Sequence, residues 1–300
     1  MRHTADLEQS SLLSLDASSL SWAQLERGAL DVTYRMLDDG PLRISSRRVN
    51  LGVQMNAKIE PDRIVVATIM APDSPARWFG GPFDDECVAV GRDEIDLRTT
   101  GPVTVTAVAV DTKGLHSFSK APDAAILADR LAKCGVLRKP IPSSRLRAAL
   151  RSACSISRSA TRPVHGNLIP LLSETLDELD RYAVERAPSL NARFAAVRAC
   201  EAYMREHLDS TVTLLDLSRV SCVRSRSLIN AFEAITGYSP MDYLKRLRLS
   251  GARRALQRAN PHETRVIDVA ADWGFWHMGH FTASYRAMFD ETPSRTLRHE

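Results

Sequence analysis

The spacing of apolar positions changes character along this chain. Between residues 20 and 112 they come in short runs rich in Val, Ile and Thr. Examples are LRISSRRVNLGVQM (Leu42 to Met55), RIVVATIM (Arg63 to Met70) and PVTVTAVAV (Pro102 to Val110), the last alternating Val-Thr-Val-Thr. Turn signals separate the runs: Asp38-Asp39-Gly40-Pro41, Pro61-Asp62, Gly80-Gly81-Pro82 and Gly101-Pro102. Short strands with such punctuation predict an antiparallel sandwich or barrel. Helical spacing takes over near Ala121. SSRLRAALRSAC puts Leu146, Ala149, Leu150 and Ala153 on one stripe, and LIPLLSETLDELDRYAVERA does the same through Leu172, Leu176, Leu179 and Ala183. Between them SISRSATRPVHGN is polar and reads as a linker, and Pro188-Ser189 breaks the second helix. The expected division is a β-rich domain over 1–154, a linker with a connecting helix over 155–190, and a helical domain over 191–300.

The helical domain contains a repeat. VSCVRSRSLINAFEAITGYSP begins at Val220 and WGFWHMGHFTASYRAMFDETP at Trp273, 53 residues later (273 − 220 = 53). At that offset Leu217 pairs with Ala270, Ser221 with Gly274, Leu228 with Phe281, Phe232 with Tyr285 and Pro240 with Pro293. Apolar residues recur at helical spacing in both copies: Leu228, Phe232, Ile235, then Phe281, Tyr285, Met288. A short preceding helix supplies Leu214 and Leu217, or Ile267 and Ala270. Helix, tight turn, helix is the helix-turn-helix arrangement, expected over about 213–236 and 266–289. Thr213 with Asp216 forms a capping-box-like start, and Ser239-Pro240-Met241-Asp242 supplies an N-cap, a proline at the first helical position and a first-turn carboxylate. A helix should therefore run from Pro240 to about Gln257, ~27 Å long at ~1.5 Å per residue. With the ends of the units added, the two second helices would sit ~34 Å apart, one turn of B-DNA.

Composition adds little until it is located. Of 40 Lys+Arg and 36 Asp+Glu in 300 residues, 16 and 12 lie in 191–300. That stretch holds the whole formal charge of +4, and the first 190 residues balance at 24 each. An acidic partner such as a phosphate backbone is favoured for the last third. The five cysteines (Cys87, Cys134, Cys154, Cys200, Cys222) include no C-x-x-C pair, which argues against a disulfide framework or clustered-Cys zinc. No long uncharged apolar run or secretion-signal pattern is present, so the reading is cytoplasmic, with no membrane partner.

Residues from about 191 to 298 resemble the DNA-binding domain of the AraC/XylS family of bacterial transcription regulators. The resemblance is carried by VIDVAADWGFWHMGHFTASYRAMFDETPSRTLR (Val266 to Arg298) and by TLLDLSRVSCVRSRSLINAFEAITGYSPMDYLKRLRL (Thr213 to Leu249). It implies an α+β chain: an antiparallel cupin-like β sandwich or barrel with helices, followed by an all-α domain of two helix-turn-helix units joined by a linking helix. The implied function is a sequence-specific DNA-binding regulator, an activator, reading two successive major grooves. Double-stranded DNA and RNA polymerase are its implied partners, with a small-molecule effector in the β domain and a homodimer as further expectations.

The resemblance also places residues. Ser225, Arg226, Ile229 and Asn230 on the first unit, and Trp276, His277, Met278 and His280 on the second, would face bases. Arg bridges guanine O6 and N7, and Asn bridges adenine N6 and N7. Family members often carry Arg or Gln near Met278 or Ala283, so the Met and Ala found here move base reading towards the first unit. Arg224, Lys245, Arg286 and Arg295 are the phosphate candidates, with other Arg residues between Lys245 and Arg258. His277 and His280 do not close a tetrahedral metal site, so neither metal nor cofactor is expected, and no catalytic set is found. Two alternatives remain: a metal-dependent cupin-type enzyme with a helical interaction domain, or an adaptor that binds protein rather than DNA. The first is disfavoured because no histidine occurs between Leu20 and Leu115.

Overall fold

The computed structural model describes residues 17–70, 75–85, 87–114, 141–142, 145–148, 150, 168, 172 and 188–300. Leu168 and Leu172 apart, the connecting helix expected over 168–187 and the linker before it lie outside these. The chain divides into two compact units, Met1–Trp22 with Asp31–Arg186, and Ala23–Leu30 with Ala187–Glu300.

The first unit is built on two sheets. One orders β1 (Ala17–Gln24), β4 (Val53–Ile59), β9 (Glu94–Thr99), β6 (Ala76–Trp78) and β7 (Gly81–Phe83). The other orders β11 (Ile141–Pro142), β8 (Cys87–Gly91), β5 (Arg63–Met70), β10 (Val103–Asp111), β3 (Leu42–Val49) and β2 (Val32–Asp39). The antiparallel β architecture agrees with the Val/Ile/Thr-rich runs. The alternation does not carry over as a polar outer face. In β5 the six residues from Ile64 to Ile69 are all buried, and in β10 Thr106 is buried as well. Thr106 stays satisfied through its neighbour on β3, Oγ1 to Ser46 Oγ at 3.3 Å. A strand buried on both faces needs no alternation.

The second unit is helical: α1 (Pro188–Glu206), α2 (Leu214–Ser221), α3 (Ser225–Thr236), α4 (Pro240–Arg258), α5 (Val266–Asp272), α6 (Met278–Phe289) and α7 (Pro293–Arg298). Helix α1 starts at Pro188, where a break was expected, because proline is tolerated in a first turn whose N–H groups have no intrahelical partner anyway. The expected capping box is present: Thr213 Oγ1 accepts from Asp216 N, and the Asp216 carboxylate accepts from Thr213 N at 2.9 Å. Ser239 caps α4 through Asp242 N at 3.2 Å.

Helix α4 is the spine of this unit. Its first turn packs on the first helix-turn-helix, with the Phe232 and Tyr243 rings 5.7 Å apart. Its second half joins one core of Leu249, Ala252 and Leu256 with Phe281, Tyr285 and Phe289. Eight residues from far upstream complete the unit. Ala23 and Leu25 are buried; Gln24 N donates to Ser250 Oγ at 3.1 Å, Arg246 Nε donates to Leu25 O at 2.7 Å, and Gly28 N donates to Met288 O at 2.8 Å. Periodicity cannot reveal such a segment, because its partners lie more than 200 residues away.

Candidate nucleic-acid interface

The two helix-turn-helix units repeat most faithfully in their second helices. Helix α3 (Ser225–Thr236) and helix α6 (Met278–Phe289) are each 12 residues long and start 53 residues apart (278 − 225 = 53). Each buries the expected stripe: Leu228, Phe232 and Ile235, then Phe281, Tyr285 and Met288. Each is closed by a left-handed residue, Gly237 (φ 79°) or Asp290 (φ 57°). After each comes a hydroxyl N-cap and a proline, Ser239-Pro240 or Thr292-Pro293.

The turns differ from the sequence alignment. The left-handed turn residues are Cys222 (φ 54°) and Gly274 (φ 73°), which are 52 apart, so Gly274 corresponds to Cys222 and not to Ser221. In each the following residue donates back five positions, Val223 N to Ser218 O and Phe275 N to Ala270 O. Two residues then separate Cys222 from α3, whereas three separate Gly274 from α6. The longer turn lets Phe275 pack against Phe281, ring centroids 4.9 Å apart, while Trp276 stays 68% exposed. Gly274 has no substitute there: a Cβ would lie 2.7 Å from Leu208 O and 2.9 Å from Arg248 Cζ. Phe281 and Tyr285 are core, as their spacing predicts, and half-buried Trp273 packs against that core.

The candidate base readers divide into two groups. Arg226 and Asn230 are exposed on α3, and Ile229 is half-buried between them. Ser225 is half-buried, its Oγ 2.8 Å from Ser218 Oγ, so its hydroxyl is already tied to α2. At the front of α6, Trp276, His277 and His280 are exposed and Met278 is half-buried. The His277 and His280 rings stand 6.0 Å apart, edge to face. Among the described residues no cluster of three His, Cys, Asp or Glu side chains has metal-ligating geometry.

The phosphate candidates Arg224, Lys245, Arg286 and Arg295 are all exposed. Other α4 arginines are engaged inside the unit. Arg246 stacks over Tyr238 at 3.9 Å besides holding Leu25 O. Arg248 donates to His207 O and Ser210 O, and burial lowers its pKa. Arg253 pairs with Glu291 at 2.9 Å and lies over the Phe289 ring. Helical spacing alone could not separate these bracing arginines from phosphate contacts, because their partners come from other elements. On the first helices, hydrogen bonds from Thr213 hold the Asp216 carboxyl below its ordinary range, and Arg265, bonded at 2.7 Å, does the same for Asp268. Buried Tyr285 donates to Thr296 Oγ1 at 2.8 Å, and desolvation raises its pKa.

Two helix-turn-helix units on one linking helix, their second helices carrying exposed polar side chains, define a DNA-binding module. A family model described as a helix-turn-helix domain matches residues 217–299. A XylDLEGF operon transcriptional activator from Pseudomonas putida is 33% identical over 96 residues, 32% of this chain and 30% of that protein. A probable thc operon regulatory protein from Rhodococcus erythropolis is 36% identical over 102 residues, 34% of this chain and 31% of that protein. A solved structure of a probable AraC family transcriptional regulator from Rhodopseudomonas palustris is 37% identical, covers 35% of this chain and 95% of its own, and has a TM-score of 0.32. This chain's C-terminal part is thus a helix-turn-helix domain similar to those of AraC/XylS-type transcription regulators. It spans only about a third of the length of the curated relatives it matches. Among the described residues no helix is long and apolar enough to cross a membrane.

Proposed function

We propose that the whole protein is a transcription activator. Helix α3 reads bases in one major groove, and α6 seats the second unit in the next groove on the same face of the duplex. The exposure of Arg226 and Asn230 on a helix whose opposite face is core carries this reading. In this view Arg226 and Asn230 are the main base readers, with Ile229 packing on a thymine methyl and Ser225 at the helix front. Trp276, His277, Met278 and His280 make a second, less discriminating contact. Arg224, Lys245, Arg286 and Arg295 neutralise phosphates and set register. The relatives named as operon activators support the sign of regulation, and RNA polymerase is then the natural partner. The β unit would take the signal or pair two copies, so a small-molecule effector and a homodimer belong to the same proposal.

The test is fluorescence polarisation of the full chain on its own promoter fragments and on random duplex across a salt series. Specific binding should be tighter by roughly a thousandfold or more and should weaken steeply with salt. Equal affinity for promoter and random duplex at every salt concentration would rule the reading out.

A further inference from the structure

The two helix-turn-helix units meet directly as well as through α4, and one side chain joins them. Arg248 lies midway along α4 and Gly251 is three residues on, so both face the same side of the helix. The turn of the second helix-turn-helix, Trp273-Gly274, sits against that side. A Cβ on Gly251 would fall 1.9 Å from Trp273 Cζ3, so the indole fills the space that the glycine leaves. A Cβ on Gly274 would fall 2.9 Å from Arg248 Cζ, so the guanidinium passes directly beside this turn.

The same guanidinium reaches the segment 207–213, which leads from α1 into α2. Its Nη2 donates to His207 O at 3.4 Å and to Ser210 O. Leu208 O, from the same segment, is the other close neighbour of Gly274. The segment is anchored in the first helix-turn-helix. The His207 ring stacks on Tyr203 of α1 with centroids 4.0 Å apart, Thr213 caps α2, and Cys200 Sγ of α1 donates to Leu217 O of α2 at 3.4 Å. From its place on the linking helix, Arg248 therefore bridges the turn of the second unit and the entry to the first. Arginine suits this place because its planar fork fixes the direction of several donors, whereas a lysine ammonium is a point charge on a flexible stem.

The separation of the reading helices is sensitive to this joint. With α3 and α6 ~34 Å apart, a rotation of roughly 10° at the middle of α4 would move one of them, ~17 Å away, by about 3 Å. That is close to the ~3.4 Å rise of one base pair. A linking helix by itself can curve. A second contact away from the helix axis removes that freedom.

We propose that Arg248 is a positioning residue that fixes the register between α3 and α6, so that the two helices meet the duplex at one separation only. Its consequence for DNA rests on the regulator reading proposed above; the lock within the protein does not.

The test has two readouts on the full chain. Spin labels carried by a ketone-bearing amino acid at Ser227 of α3 and Thr282 of α6, both exposed, report the distance between the helices. The parent should give one narrow distribution, and Arg248→Met one that is broader by about 3 Å. Hydroxyl-radical footprinting on promoter fragments should show two protected tracts about 10 base pairs apart for the parent. Arg248→Met should keep the tract that depends on Arg226 and lose most of the other. Arg248→Lys keeps the stem and the charge without the fork. It should fall between the two, and it carries the test should Arg248→Met fail to fold by circular dichroism. The proposal falls if parent and variant distributions are equally wide, if the parent's is already broad, or if both tracts weaken in parallel, the outcome of a merely structural role. A label distance that broadens as expected without any sequence-specific footprint removes the regulator reading alone; equal widths beside a specific footprint remove this proposal alone.

Discussion

The two helix-turn-helix units share a skeleton and differ in what they show to solvent. The buried positions of their second helices correspond at a constant offset, and so do the left-handed residues that end those helices and the hydroxyl N-caps that follow. The exposed faces have diverged, with Arg226 and Asn230 on one, and Trp276, His277 and His280 on the other. Packing constrains every core position in both copies, because deleting or adding a methylene there is costly. No such constraint acts on the outward face, so the two faces are free to take different tasks. A turn longer by one residue in the second unit widens the difference by turning Trp276 outward.

The largest expected effect tests the longer turn. Gly274→Ala combines left-handed backbone strain with overpacking against Leu208 O, and should cost roughly 2–5 kcal/mol of stability in denaturant unfolding. Gly237→Ala, with φ 79° but nothing within 4 Å of a new Cβ, should cost only about 1–2 kcal/mol. Equal losses would show that the close approach at the second turn is not what restricts it to glycine. Next comes the asymmetry of reading. Arg226→Ala should weaken promoter binding by about 1–3 kcal/mol and random-DNA binding far less, whereas His277→Ala should lower both by similar, smaller amounts. The reverse pattern would exchange the roles assigned to the two units.

A smaller effect is expected from making the second core more like the first. Phe232 and Tyr285 correspond, and Tyr285→Phe deletes only the hydrogen bond to Thr296, so it should cost about 1 kcal/mol with DNA binding retained. The smallest effect concerns the first-turn carboxylates of the first helices. The folded state lowers the pKa of Asp216 and of Asp268, so each contributes stability that is present above its unfolded pKa and lost as pH falls through the lower folded one. Thermal unfolding of the parent and Asp216→Asn should therefore differ at neutral pH and converge in acid. A gap that persists unchanged well below the ordinary carboxylate range would assign the effect of Asp216 to something other than its charge.

Much of the helical unit was legible from residue order because its determinants are local. The stripes of α3 and α6, the Thr213–Asp216 box and the Ser239-Pro240 start depend on neighbours within about one helical turn. The expected Leu217–Ala270 and Ser221–Gly274 pairings both fail: the offset is 52 up to the turn and 53 after it, so Leu217 corresponds to buried Val269 and Ser218 to Ala270, which only backbone geometry exposes. The outward positions of Arg226 and Asn230 were also readable, since a buried stripe dictates its opposite face.

The amino-acid order by itself thus determined the repeat, the β-then-α division and the faces of the two second helices, all set by short-range periodicity. The tertiary structure alone decided that residues 23–30 complete the helical unit and that Arg246, Arg248 and Arg253 brace it. It alone set Ser45, Ala107 and Ala67 side by side on three adjacent strands. Those contacts join strands and helices far apart in the chain. Their energy depends on which surfaces meet, a quantity that no local spacing encodes.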